Sequence, residues 1–193
     1  AMSFIGLQHL PVAEFTAITM LTPVLVTLLA ALLLHEPVSR LRWLLVAGAM
    51  LGALIVIRPG SGLFGAAVLF PLAGSTAYAL FQVLTRRLSA EEDPFTTHFY
   101  TGAIGTLLVT LLLLASPVEL GPTLAAALPA DLALLVLVGV LGTVGHLLLV
   151  LALGMAPTST LMPFSYAQIA VATLLSWLVF GHLPDGWAWT GIA

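Results

Sequence analysis

Apolar runs of about twenty residues follow one another along this chain, and its charged side chains stand at their ends. A helix rises about 1.5 Å per residue, so about twenty apolar residues cross the roughly 30 Å hydrocarbon layer of a bilayer. Every backbone N–H and C=O inside that layer must be bonded within a helix or a closed barrel. The run lengths here are helical and predict spans at 11–35, 40–57, 64–85, 95–115, 131–153 and 157–181, with apolar stubs at 1–8 and 185–193. Turn chemistry separates them, in "HEPVSR", "RPGSG", "SAEEDP", "SPVELGP" and "GMAPTS". Of 193 residues 61% are apolar and 7% charged, against about half and a quarter in soluble domains, so the fold class is an all-α integral membrane protein, a polytopic helical bundle.

The scarce charges exclude several functions. The chain has no lysine, so it carries no P-loop, and any driving force for work across the bilayer is a gradient or an exchange. Five arginines and a formal charge of −3 make no basic stripe for phosphates, which excludes nucleic acid as a partner. Cysteine is absent, and nothing points to a cofactor or a metal. Alternate connections hold Arg40 with Arg42, and Arg86 with Arg87; the opposite set holds Arg58 alone. That asymmetry places "HEPVSRLR" and "TRRLSAEED" in the cytoplasm. The start "AMSFIGLQHL" lacks a charged leader and begins inside an apolar run.

The phrase "VTLLAALLLHEP" at 26–37 returns as "ATLLSWLVFGHLP" at 172–184. Shifted by 146, Pro11 falls on Pro157, Thr27 on Thr173, Leu32 on Leu178 and Trp43 on Trp189. Between Glu36 and His182 the predicted chain crosses the bilayer an odd number of times, so the two copies point in opposite directions, as in the inverted-topology repeats of secondary transporters. Applied to the remaining spans, the register predicts ten helices in two inverted sets of five, with both ends of this chain falling short of a complete set. Pro23 and Pro163 do not align under it, which predicts kinks that are not symmetric.

The stretch "LPVAEFTAITMLTPVLVTLLAALLLHEPVSRLRWLLVAGAMLGALIVIRPG" resembles the end of the first repeat of EamA-type transporters of the drug/metabolite transporter superfamily. "YALFQVLTRRL", "GHLLLVLALGMAPTSTLMPFSYAQ" and "FGHLPDGWAWTGIA" resemble the second. The resemblance implies a ten-helix, basket-like carrier of small organic solutes in a bacterial inner membrane. Residues 1–57 would then be the end of helix 3 with helices 4 and 5, and residues 64–193 helices 6 to 9 with the start of helix 10. The family usually has Glu where His182 stands, so no carboxylate role passes to that position.

Polar side chains at membrane depth need a reason, because ionisable ones cost roughly 2–3 kcal/mol on insertion scales. His146 lies past the middle of its span behind Gly139, Gly142 and Gly145, which would let a neighbouring backbone approach closely. It either lines the solute path, exchanging a proton, or donates to a carbonyl of the adjacent helix. Tyr166 and Gln168 follow Pro163, whose missing N–H frees a carbonyl and can open a solute-binding discontinuity; a packed kink is the other reading. Glu14, three residues after Pro11, reads as helix-start chemistry or as a cation or proton site near the outer mouth. Tyr78 and Gln82, four apart, share a helix face toward either the cavity or the interface. Glu36 closes a helix C-terminus, where the dipole disfavours a carboxylate, so Arg40 and Arg42 are its expected partners in an interfacial clamp; His182 closes the second copy on the outside.

These features favour secondary transport of an amino acid-like or related polar metabolite by alternating access, with H+ or Na+ as the coupling ion and the lipid bilayer as surroundings. A passive assembly subunit fits the composition equally but gives no cause for Gln168 and His146 in mid-membrane. An intramembrane enzyme is disfavoured, because "HEPVS" lacks the second histidine of HExxH.

Overall fold

The computed structural model describes residues 12–57, 66–115, 121–122, 127–181 and 186–192. Among them every regular element is a helix: α1 Val12–Thr19, α2 Thr22–Leu33, α3 Arg40–Ile57, a 3-10 turn Ala66–Val68, α4 Leu69–Leu88, α5 Pro94–Leu114, α6 Pro129–Met155, α7 Thr158–Leu161, a 3-10 segment Met162–Tyr166, α8 Ala167–Phe180 and α9 Gly186–Ile192. Four stretches are long and apolar enough to cross a membrane, Phe15–Leu33, Pro94–Leu114, Pro129–Met155 and Thr158–Val179. α3 and α4 occupy the predicted spans 40–57 and 64–85 at 18 and 20 residues.

Two predicted spans are each broken rather than continuous. The span at 11–35 divides between α1 and α2, and the span at 157–181 divides through the 3-10 segment. Pro23 explains the place of the first break, since a proline is harmless only in a helix's first turn, so α2 must restart just before it. The kinks are unequal, as the unaligned prolines predict: the first break takes residues 20–21, the second runs as a 3-10 segment over Met162–Tyr166, and only their far ends agree in register. The helices that follow the breaks start at Thr22 and Ala167, within one residue of the 146-residue shift.

The chain forms two compact units, Ala1–Leu84 with Ala156–Ala193, and Thr85–Met155. In the first, α3 packs against α9 and α1, and α2 packs against α3, α7 and the 3-10 segment. Val26 and Ala30 of α2, Val46 of α3, Ala79 and Val83 of α4 and Met162 make one buried cluster, and Met20, Ala53 and Tyr166 a second.

In the second unit α5 packs against α6. Asp93 caps α5, accepting from the Phe95 and Thr96 amides at 2.9 and 3.2 Å, with Pro94 in the first turn. Arg86 donates to the Leu153 and Gly154 carbonyls at 2.8 and 3.3 Å, placing a cation on the negative end of α6. α5 has no buried residue and is apolar along most of its length, as a helix facing lipid or further protein must be. A Cβ on Gly139, Gly142 or Gly145 would meet nothing within 4 Å, so the close approach expected there is not made among the described residues.

Candidate solute site at the helix breaks

Breaking a helix inside hydrocarbon orphans backbone groups that water cannot satisfy. At the first break they are taken up in turn. Met20 N donates to Thr16 O and Leu21 N to Ile18 O. Pro23 has no N–H for Thr19 O, and the Thr22 hydroxyl donates to it instead at 2.7 Å. Thr27 Oγ1 donates to Pro23 O at 2.8 Å. Met20 O, at the interruption itself, accepts from the Tyr166 hydroxyl at 2.8 Å.

That last bond joins the two breaks. Tyr166 ends the 3-10 segment that Pro163 enforces, its ring is buried, and its partner lies 146 residues earlier. Residues equivalent under the register are thus in direct contact. Gln168, two residues on and exposed, brings Nε2 to 3.6 Å from Met20 Sδ. A cavity of ≈ 210 Å³ adjoins them, lined by Ala49 and Ala53 of α3 with Pro163, Tyr166, Ile169 and Ala170. Small alanines on one wall leave the space, and polar and apolar atoms share its surface. Ligand pockets commonly hold about 300–1,000 Å³, so this cavity is part of a site rather than a whole one.

A second constellation sits at the helix ends. Both copies leave their helix through a left-handed residue, His35 at φ 54° and Gly181 at φ 70°, again equivalent in register. Glycine takes that conformation freely, whereas an L side chain there costs roughly 1–2 kcal/mol. The turn at His35 sends Glu36 across to the start of α7. Its carboxylate accepts from Thr158 N and Oγ1 at 3.3 and 3.4 Å and from Ser159 N at 3.4 Å. A carboxylate poorly placed at the end of its own helix therefore sits well at the beginning of another. Arg42 Nη1 donates to Pro37 O at 3.3 Å and to Ser159 Oγ at 3.1 Å, closing the same corner. Arg40 is the exposed first residue of α3.

The other candidates fall apart from these groups. Gln82 is buried in α4 while Tyr78, on the same helix, is 45% exposed and stacks on Phe81 with ring centroids 6.1 Å apart, so the two do not share an environment. His146 is half-buried on α6, its ring centroid 5.3 Å from that of His98 on α5. Glu14 lies in α1, its side chain outside the description, and His182 lies outside the described residues. Sequence reasoning passed over Met20, Thr22, Thr158, Ser159 and His98. The register itself was the available signal for Met20, since Tyr166 minus the shift lands on it.

Comparison with known proteins places this geometry. The model of the EamA-like transporter family matches residues 1–58 and 65–193. A riboflavin transporter of Rhizobium johnstonii is 33% identical over 192 residues, covering 97% of this chain and 60% of its own length. An S-adenosylmethionine uptake transporter of Rickettsia bellii is 26% identical over 180 residues, covering 93% of this chain and 60% of its own. A solved crystal structure superposes with a TM-score of 0.77 at 21% identity, over 98% of this chain and 66% of that one, which shows the fold alone. This chain spans about three fifths of the length of those curated relatives. It is a multi-pass protein of the bacterial plasma membrane type. With its family model matched over nearly the whole chain, the chain belongs to the EamA-like transporter family.

Proposed function

We propose that this chain is the larger part of a secondary carrier for small organic metabolites that works by alternating access without ATP. Residues 1–57 supply the end of a first repeat and residues 64–193 most of a second, inverted one, with "HEPVSRLR" facing the cytoplasm. The observation that carries the reading is the contact between equivalent breaks, Tyr166 on Met20, beside a cavity. Discontinuous helices meeting between repeats are where such carriers hold their solutes. Tyr166 braces the break, Gln168 offers an exposed amide, and the alanine wall admits an apolar or aromatic portion of the solute. Glu36 and Arg42 hold the cytoplasmic corner shut by fastening α2 and α3 to the start of α7. Glu14 and the partly exposed Tyr78 are further candidate contacts for the solute outside this cavity, Gln82 being buried, and His182 closes the outer end.

Similarity to riboflavin and S-adenosylmethionine transporters supports metabolites that combine a heteroaromatic ring with polar groups, and the mid-membrane polar residues keep amino acid-like solutes in the same class. The test is uptake of riboflavin, S-adenosylmethionine and a panel of amino acids into liposomes holding the intact transporter, under pH and sodium gradients in turn. Saturable uptake of one solute, reduced at least fivefold by Gln168→Ala, is expected. No uptake or counterflow of any of them would refute the reading.

A further inference from the structure

α5 and α6 are apolar around most of their circumference, yet each presents one imidazole to the other. His98 and His146 lie with ring centroids 5.3 Å apart and planes tilted by 44°. On α5 the partly covered positions Pro94, Thr97, His98 and Thr101 recur every three to four residues and mark the seam with α6. His98 Nδ1 is buried there and has no hydrogen-bond partner among the described residues. A buried ring nitrogen is costly to leave unbonded, and a second imidazole is a base able to share a proton with it.

We propose that His98 and His146 together form a binding site for one proton, held on one ring and donated to a nitrogen of the other. The proton comes from bulk water and fills a lone pair on one ring, forming an N–H···N bond at the seam. A second proton would put two cations in contact, so the pair accepts one. Among the described residues the other charged groups of this unit lie at helix ends: Asp93 caps α5, Arg86 and Arg87 are in the last turn of α4 with Arg86 engaged by the α6 carbonyls, Glu91 and Glu92 are in the exposed turn before α5, and Asp131 is in the first turn of α6. Tyr100, two residues beyond His98, points from a different face of α5. The partner imidazole is the titratable ring set beside each, with 5.3 Å between centroids. A role for this proton in coupling rests on the carrier reading above; the site itself does not.

Proton binding is read without any solute, which keeps the two readings separable. The chain, labelled with 15N-histidine and embedded in lipid nanodiscs, is titrated from about pH 8 to pH 5, the interval in which histidine changes charge. His98 and His146 are expected to shift with one common midpoint. The double variant His98→Gln with His146→Gln should take up about one proton fewer than the unaltered chain, and each single variant about the same number as the unaltered chain. A deficit of two protons with separate midpoints would overturn the proposal, as would two rings that keep one state throughout. The common midpoint is measured on the unaltered chain, so misfolding of a variant cannot decide the outcome.

Discussion

Replacing Tyr166 by Phe deletes one oxygen from the contact between the two helix breaks and leaves the buried ring in place. The hydroxyl donates at 2.8 Å to Met20 O, a carbonyl at an interrupted stretch of helix. In an aqueous reference, leaving such an acceptor buried and unpaired costs about 1–3 kcal/mol. Hydrogen bonds between membrane helices measure lower, about 0.6 kcal/mol on average and about 1.7 at most, because the unfolded chain in lipid finds other partners. The break limits those alternatives, so the expected loss is about 1 kcal/mol, or roughly fivefold in the unfolding constant. Reversible unfolding of the intact transporter in mixed micelles measures this, with Tyr166→Leu as the comparison that also removes the ring. A Phe variant within about 0.3 kcal/mol of the unaltered protein would refute the claim that this bond holds the breaks together.

Glu36→Ala should loosen the start of α7 by about 1 kcal/mol, the low end for capping because the bonds are 3.3–3.4 Å long; faster hydrogen exchange at the Thr158 and Ser159 amides reports it, and unchanged exchange would contradict the assignment. Asp93→Ala should cost about 1 kcal/mol and raise exchange at Phe95 and Thr96, with the middle of α5 unaffected. The equivalent left-handed positions predict opposite signs: Gly181→Ala destabilises by about 1 kcal/mol, whereas His35→Gly is neutral to stabilising by up to about 1 kcal/mol in the same unfolding assay.

Where the helices begin was legible because it depends on local chemistry. Pro94 behind Asp93, Ser39 ahead of Arg40 and the turn residues between spans each act within a few positions, and the membrane class follows from run length. The breaks were harder to place. Pro23 reads as the kink itself, but its fixed backbone suits a first turn, and the interruption falls upstream where Thr22 can cover Thr19 O. The partners of Glu36 were hidden for a different reason. Arg40 and Arg42 are close in sequence, whereas Thr158 lies 122 residues away and becomes a neighbour only when the two copies pack together. His98 went unread, because nothing in its own helix announces an imidazole on the next one.

Met20 and Tyr166 occupy the same place in their copies, and equivalent positions touch only where an axis relating the copies passes between them. On the proposed carrier reading, rocking about such an axis would exchange the situations of the two halves. The exchange would ask a methionine to make the bond that a tyrosine makes now, which a thioether cannot do. A carrier built on this pair is therefore not a symmetric seesaw: its two end states differ by the worth of one hydroxyl, and it comes to rest leaning to one side.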